Sequence, residues 1–250
     1  MSHRISILWI ILLITFVVSS LAYATKTKTI RIATLDWEPY ISQQLSDEGF
    51  MAEITREAFR REGYKVEYVY LPWKRAVTQT EYGEFDGYFP SYWSKQREDK
   101  SLFTDSIISG PVVLFKVKGS SITYKELSDL KPYRIGVVRG FVNTPEFDAA
   151  DYLRKEQVTT DLVNIKKLLA ERVDLIVADK FVGFYLLNKY LPHMFGQIES
   201  ISPPLQDKKM YLCISKKSDN AAVKVEAFNK GLKEMHKDGT FDKILQKHGF

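Results

Sequence analysis

A few side chains in this sequence stand where they could handle a small charged molecule. Trp37 lies in Asp36-Trp37-Glu38-Pro39-Tyr40, directly after a strand-like run, and Trp73 lies in Leu71-Pro72-Trp73, directly after another. Ligands of open α/β sheets sit beyond the carboxyl ends of strands, and aromatic rings placed there form the walls of a concave site. The plainer alternative, core or turn filling, stays open for both, and more so for Trp93 in Ser91-Tyr92-Trp93-Ser94. Arg97 follows in Ser94-Lys95-Gln96-Arg97-Glu98-Asp99, a stretch that by itself reads as solvated surface. A guanidinium fork nevertheless matches a carboxylate with two parallel bonds. Asp179 ends the run 173–178 (VDLIVA), again at a strand end. It either accepts from a ligand ammonium or caps the helix that follows over 181–190, and spacing alone does not choose.

Other chemistry is scarce. The sequence has no glycine-rich phosphate loop, no GxSxG and no HExxH. His3, His193, His236 and His248 are scattered, so no metal site and no cofactor is expected. Cys213 is the only cysteine, which excludes an intrachain disulfide. Its place in the strand-like 210–214 marks it as a buried small apolar residue. The formal charge of +5 comes from interleaved signs rather than a basic stripe, which argues against a nucleic-acid face. With 45% hydrophobic and 27% charged residues in 250, the chain can bury a core without staples.

The elements that must position these residues alternate. At the start, Arg4 precedes an apolar run through Val18, and Ala22-Tyr23-Ala24 supplies an A-x-A end. This predicts an export signal over 1–24, cleaved after Ala24. An uncleaved anchor, for which 5–22 is just long enough, fits that end less well. Beyond it, 29–35 (TIRIATL) and 66–71 (VEYVYL) alternate as strands, and 134–138 (RIGVV) and 173–178 read as short buried strands. Phe50, Ile54 and Ala58 share one helical face that Gly63 ends. Val225, Phe228, Leu232 and Met235 define an amphipathic helix, broken at Asp238-Gly239-Thr240, after which Phe241, Ile244 and Leu245 face inward. Strands alternating with helices make the fold class α/β.

The order of these phrases resembles the bacterial extracellular solute-binding proteins of family 3, the polar amino-acid receptors of ABC transporters. The resemblance runs from Ile30 to Phe250. It is carried by Asp36-Trp37-Glu38-Pro39-Tyr40, Glu48-Gly49-Phe50, Leu71-Pro72-Trp73, Gly83-Glu84-Phe85-Asp86-Gly87 and Ser94-Lys95-Gln96-Arg97. Phe103-Thr104-Asp105, Leu127-Ser128-Asp129-Leu130, Arg134-Ile135-Gly136-Val137, Arg172-Val173-Asp174, Ala178-Asp179 and Gly239-Thr240-Phe241 complete it. It implies a two-lobed periplasmic-binding-protein-like fold of type II, hinged on two crossing strands. Lobe 1 is then 25–108 with 210–250, and lobe 2 is 109–209. Trp37 and Trp73 look like the walls around the ligand, Arg97 like the grip on its carboxylate, and Asp179 like the partner of its ammonium.

Some positions depart from the family pattern. Tyr92 stands where a Thr or Ser is common, and Phe141-Val142 stand where hydroxyl residues often donate to the ligand carboxylate. Arg139 or Arg75 could add positive charge. The expected pocket is thus more aromatic and more cationic than usual, which suits an acidic, aromatic or modified ligand. The expected binding residues are Trp37, Trp73, Tyr92, Arg97, Arg139, Phe141 and Asp179. The function expected is capture of a small solute with a carboxylate by a periplasmic monomer that delivers it to an ABC permease. Two alternatives are a cyclohexadienyl-dehydratase-like enzyme, with Glu38 and Glu53 as candidate acids or bases, and a sensor that presents its ligand to a membrane partner.

Overall fold

The computed structural model describes residues 28–250, so the expected export signal lies outside the described residues. No described helix is long and apolar enough to cross a membrane. The first lobe opens with β1 (Lys28–Thr34), in which Ile30 and Ile32 are buried on either side of exposed Arg31, and Ala33 and Thr34 beyond them are buried as well. β1 pairs in parallel with β2 (Tyr64–Tyr70) on one side and β3 (Gly87–Tyr92) on the other. Between them run α1 (Phe50–Arg61) and α2 (Trp73–Tyr82). α1 buries Phe50, Met51, Ile54, Ala58 and Phe59, and the long helix over Ala221–Asp238 packs on it. β3 is buried at all six positions, which a central strand covered on both faces demands. The short α3 (Lys95–Lys100) and β4 (Ser101–Phe103) follow.

Two ten-residue strands then tie this lobe to the second. β5 (Ile108–Val117) and β10 (Gln206–Ser215) are antiparallel partners over Ile108–Val112 and Gln206–Met210. Beyond that shared stretch each joins a different lobe. β10 runs on beside β3 and β4, with Met210 opposite both Ile108 and Tyr92. β5 runs on beside β8 (Leu175–Asp179), with Val112 opposite both Gln206 and Asp179. The lobe limits expected from the sequence fall inside this paired stretch.

The second lobe comprises β6 (Arg134–Val138), α4 (Pro145–Ala149), β7 (Arg154–Val158), α5 (Asp161–Leu169), β8, α6 (Lys180–Tyr190) and β9 (Ile198–Ser200). β6 lies in parallel between β7 and β8, and β9 pairs with β5. The path through the sheet is β2-β1-β3-β10-β5-β8-β6-β7. The chain returns to the first lobe as α7 (Ala221–Asp238) and α8 (Thr240–Lys247), with Gly239 in the left-handed region at their junction. Phe228, Leu232 and Met235 are buried, as are Phe241 and Ile244, while Leu245 is half-buried. Cys213 is buried in β10.

β1, β2 and β8 begin and end within two residues of the expected strands, β10 begins four residues before the expected 210–214, and β6 matches at both ends. Where β5 passes the cleft, Gly110 leaves room that no other residue would. A Cβ there would lie 2.3 Å from Asp179 Oδ2 and 2.7 Å from the Tyr40 hydroxyl. Gly110→Ala is therefore expected to cost about 1–3 kcal/mol by overpacking, measured by denaturant unfolding.

Candidate ligand-binding site

The end of β1 turns sharply. The Trp37 amide donates to Ile41 O at 2.7 Å and the Tyr40 amide to Trp37 O at 3.0 Å, which sends both rings into the cleft between the lobes. Trp73 opens α2. Tyr92 ends β3, and two residues later Ser94 caps α3 by accepting from the Arg97 amide. That cap sets Arg97 on the inward side of the helix, only 5% exposed, although Lys95, Glu98 and Asp99 form surface ion pairs around it. The bland surface reading of Arg97 is thereby corrected.

The three hydrogen bonds of the Arg97 guanidinium all go to neutral oxygens. Nη1 donates to Ser91 Oγ (2.9 Å) and Tyr92 O (3.0 Å), and Nη2 donates to Gly140 O (3.0 Å). The Trp73 ring lies 5.3 Å from its carbon. Burial without an anionic partner pulls the guanidinium pKa below its ordinary value. Gly140 follows β6 in the second lobe with φ +81°, a conformation glycine adopts freely. Its carbonyl accepts from Trp73 Nε1 (3.1 Å) as well as from Arg97, so one backbone oxygen joins the lobes.

Asp179 answers the question the spacing left open, since it does cap α6. Oδ1 accepts from the Phe181 and Val182 amides at 2.9 and 3.2 Å. It also receives two hydroxyls from the first lobe, Tyr40 on Oδ1 (3.1 Å) and Tyr92 on Oδ2 (3.0 Å). Burial pushes its pKa up to about 6, against the pull of these donors. Its negative charge, together with burial, in turn drives both tyrosine hydroxyls above their ordinary range.

Further bonds cross the cleft. Trp37 Nε1 donates to Asp161 Oδ2 at 3.2 Å. Asp161, at the first turn of α5, has no partner for Oδ1, and burial pushes its pKa up to about 7. Buried Glu38 pairs with Lys189 (2.7 Å) and accepts from the Tyr190 hydroxyl (3.0 Å). Lys208, on β10, donates to Asn143 O, and burial lowers its pKa to about 8.

Trp37, Trp73, Tyr92, Arg97 and Phe141 enclose a cavity of about 20 Å³. The rings meet edge to face, Trp37 with Tyr92 at 5.9 Å and with Phe141 at 6.1 Å, and Trp73 with Phe141 at 6.3 Å. That space suits about one water, so it has no room for a solute beside Arg97. Outside it the cleft widens to a chamber of about 480 Å³.

Six of the seven expected residues gather here, counting Asp179 through its bond to Tyr92. Arg139 does not. It is exposed, donates to Gln157 Oε1 at 3.3 Å, and lines a separate surface pocket with Lys74 and Arg75. The expected extra positive charge is therefore outside the aromatic cavity, in a surface pocket that shares Pro72, Trp73 and Thr159 with the wider chamber. Glu53 is also outside the cleft, bound to Lys247 and His248. Sequence reasoning missed the parts played by Tyr40, Gly140 and Asp161. Tyr40 lay within the aromatic phrase after β1, whereas Asp161 after Thr160 carried only the look of an ordinary helix start.

A pH dependence follows. Asp161 and Asp179 release their protons at about 7 and 6 in the fold, against an ordinary 3.8. Between pH 4 and 7 the folded state therefore holds protons that the unfolded chain has lost, and these groups stabilise less as pH rises. Asp161→Asn is expected to flatten this decline. Relative to the wild type it should gain on the order of 1–3 kcal/mol between pH 4.5 and 7.5, read by urea unfolding across that range.

Comparison with known proteins agrees with this architecture. The chain is 26% identical over 257 residues to the lysine/arginine/ornithine-binding periplasmic protein of Escherichia coli (strain K12), covering 97% of this chain and 96% of that one. It is 25% identical to the histidine-binding periplasmic protein of Salmonella typhimurium, over 95% and 94% of the two chains. Among solved structures, an ancestral arginine-binding protein bound to arginine superposes with a TM-score of 0.75 at 21% identity, over 89% of this chain and 98% of that one. The fold, with its two lobes and crossing strands, is that of the type II periplasmic binding proteins. Residues 30–250 match the family model, and the chain belongs to the bacterial extracellular solute-binding proteins, family 3.

Proposed function

We propose that this chain is an exported receptor that closes two lobes, 25–108 with 210–250 and 109–209, around a small solute bearing a carboxylate. The solute is an amino acid or a close relative, and it passes to an ABC permease. The observation that carries this reading is Arg97, a buried guanidinium at the lobe junction with only neutral acceptors. A carboxylate is the group that such a fork binds most strongly. Trp37, Trp73, Tyr92 and Phe141 are the walls. Asp179 holds the Tyr40 and Tyr92 hydroxyls and accepts a ligand ammonium when a tyrosine gives way. Exposed Arg139 is left out of this set. The amino-acid-binding relatives support the solute class.

A second reading, a dehydratase-like enzyme, draws on Asp161 and Asp179, buried carboxylates that keep protons close to neutral pH, as a general acid needs. It no longer draws on Glu53, which faces the C-terminal helix, nor on Glu38, which is ion-paired.

Thermal unfolding against amino acids and small organic acids tests the receptor. A solute at about 100-fold over its Kd adds about 2.7 kcal/mol. Consumption of a prephenate-type substrate by the wild type, without such stabilisation by amino acids, decides for the enzyme. Arg97→Lys keeps the charge and loses the fork, and it is expected to weaken a carboxylate solute by about 2–5 kcal/mol in calorimetry. Arg97→Ala should in addition lower the melting temperature, since Tyr92 O and Gly140 O lose their donor.

A further inference from the structure

We propose that the solute carries a cationic group, an alkylammonium or guanidinium, and that Asp161 at the start of α5 is its counter-charge. This rests on the receptor reading and adds the second end of the solute. The 480 Å³ chamber beyond the aromatic cavity is walled by residues of both lobes. Asp36, Glu38 and Asp161 stand in its lining, and no lysine or arginine does. Trp37, Trp73 and Tyr70 contribute rings, whose faces attract cations.

The three carboxylates differ in what already satisfies them. Asp36 accepts from Ser42 Oγ at 2.9 Å and from the Gln43 amide at 3.0 Å. Glu38 is neutralised by Lys189. Among the described residues Asp161 has no cation, one indole donor, and an oxygen buried without any partner, in a residue 4% exposed. A buried carboxylate oxygen left bare is costly, and a donor that supplies both charge and hydrogen relieves it. The indole belongs to the first lobe and Asp161 to the second. Parting the lobes to admit a solute therefore breaks the bond between them and takes the indole from Oδ2. Asp179 has a different task. When Tyr40 and Tyr92 leave with the first lobe, the Phe181 and Val182 amides of its own lobe stay on Oδ1, so it is never without donors, and it serves the ammonium beside the carboxylate that Arg97 grips.

Calorimetric titration of the purified protein tests this with paired probes of nearly equal shape. These are L-arginine against L-citrulline and L-lysine against L-norleucine, with agmatine as a cation lacking the carboxylate. The wild type is expected to bind at least one cationic amino acid about tenfold or more tightly than its neutral partner. Asp161→Asn, which keeps an acceptor for the Trp37 indole, is expected to bring that ratio to within about twofold. Asp161→Glu retains the charge and should retain a preference, and it replaces the asparagine variant if that one melts early. Equal binding of neutral and cationic partners by the wild type overturns the cation site and leaves the receptor standing. So does a preference that survives Asp161→Asn. Agmatine binding that Asp161→Asn abolishes supports the site independently of the carboxylate grip. Failure of every probe to bind overturns the cation site, and the receptor reading is then decided by the wider panel of amino acids and organic acids.

Discussion

Two strands hold this molecule together, and every distance across the cleft depends on them. β5 and β10 pair with each other for only part of their length and then enter different lobes. Val112 sits opposite Gln206 on one side and Asp179 on the other, so the residue that fixes the crossing also fixes the strand that ends in Asp179. Met210 does the same for Ile108 and Tyr92. Backbone hydrogen bonds thus bring Tyr92 and Asp179, from different lobes, to the same level of the cleft. Gly110 keeps the crossing thin enough for Tyr40 to join them. In a sheet of this kind, function collects at strand ends because the strands end at the cleft.

The interior of the cleft is held by charges set against neutral partners. Arg97 faces two carbonyls and a hydroxyl. Asp179 faces hydroxyls and amides, and Asp161 a single indole. Each arrangement costs desolvation without the full return of an ion pair. Glu38 with Lys189 is the exception, and it lies toward the mouth, where Lys189 is one-third exposed. The charges nearest the aromatic cavity are thus the ones whose pairing is incomplete, which is the usual signature of a site rather than of a scaffold.

Much of the frame could be read from residue order. β6 matched at both ends because five apolar-rich residues between turn signals leave little choice. α7 followed from the spacing of Phe228, Leu232 and Met235, which all face α1 and the sheet. β3 was harder, since six buried residues including Pro90 show no alternation. Arg97 could be suspected from its place in an ordered set of phrases, yet its burial could not. In Lys95-Gln96-Arg97-Glu98-Asp99 the inward residue is chosen by the Ser94 cap, which takes geometry to see. Tyr92 stood out as a bulky departure, but its partner is 87 residues away. Asp161 gave no signal, because an unpartnered oxygen is a property of its surroundings and not of the chain near it.

The tyrosine at position 92 has a consequence for how a solute competes. Its hydroxyl and that of Tyr40 both donate to Asp179, so on the proposed reading, in which Asp179 takes a ligand ammonium, the protein carries an internal competitor for its own site. Solute binding is then an exchange, in which the incoming molecule replaces bonds that the lobes make with each other. If those bonds favour the shut form by about 1.4 kcal/mol, the apparent dissociation constant rises about tenfold over the intrinsic one. In the receptor proposed above, that factor lowers sensitivity to every solute alike, so the shut form yields only to molecules that bond better than its own side chains.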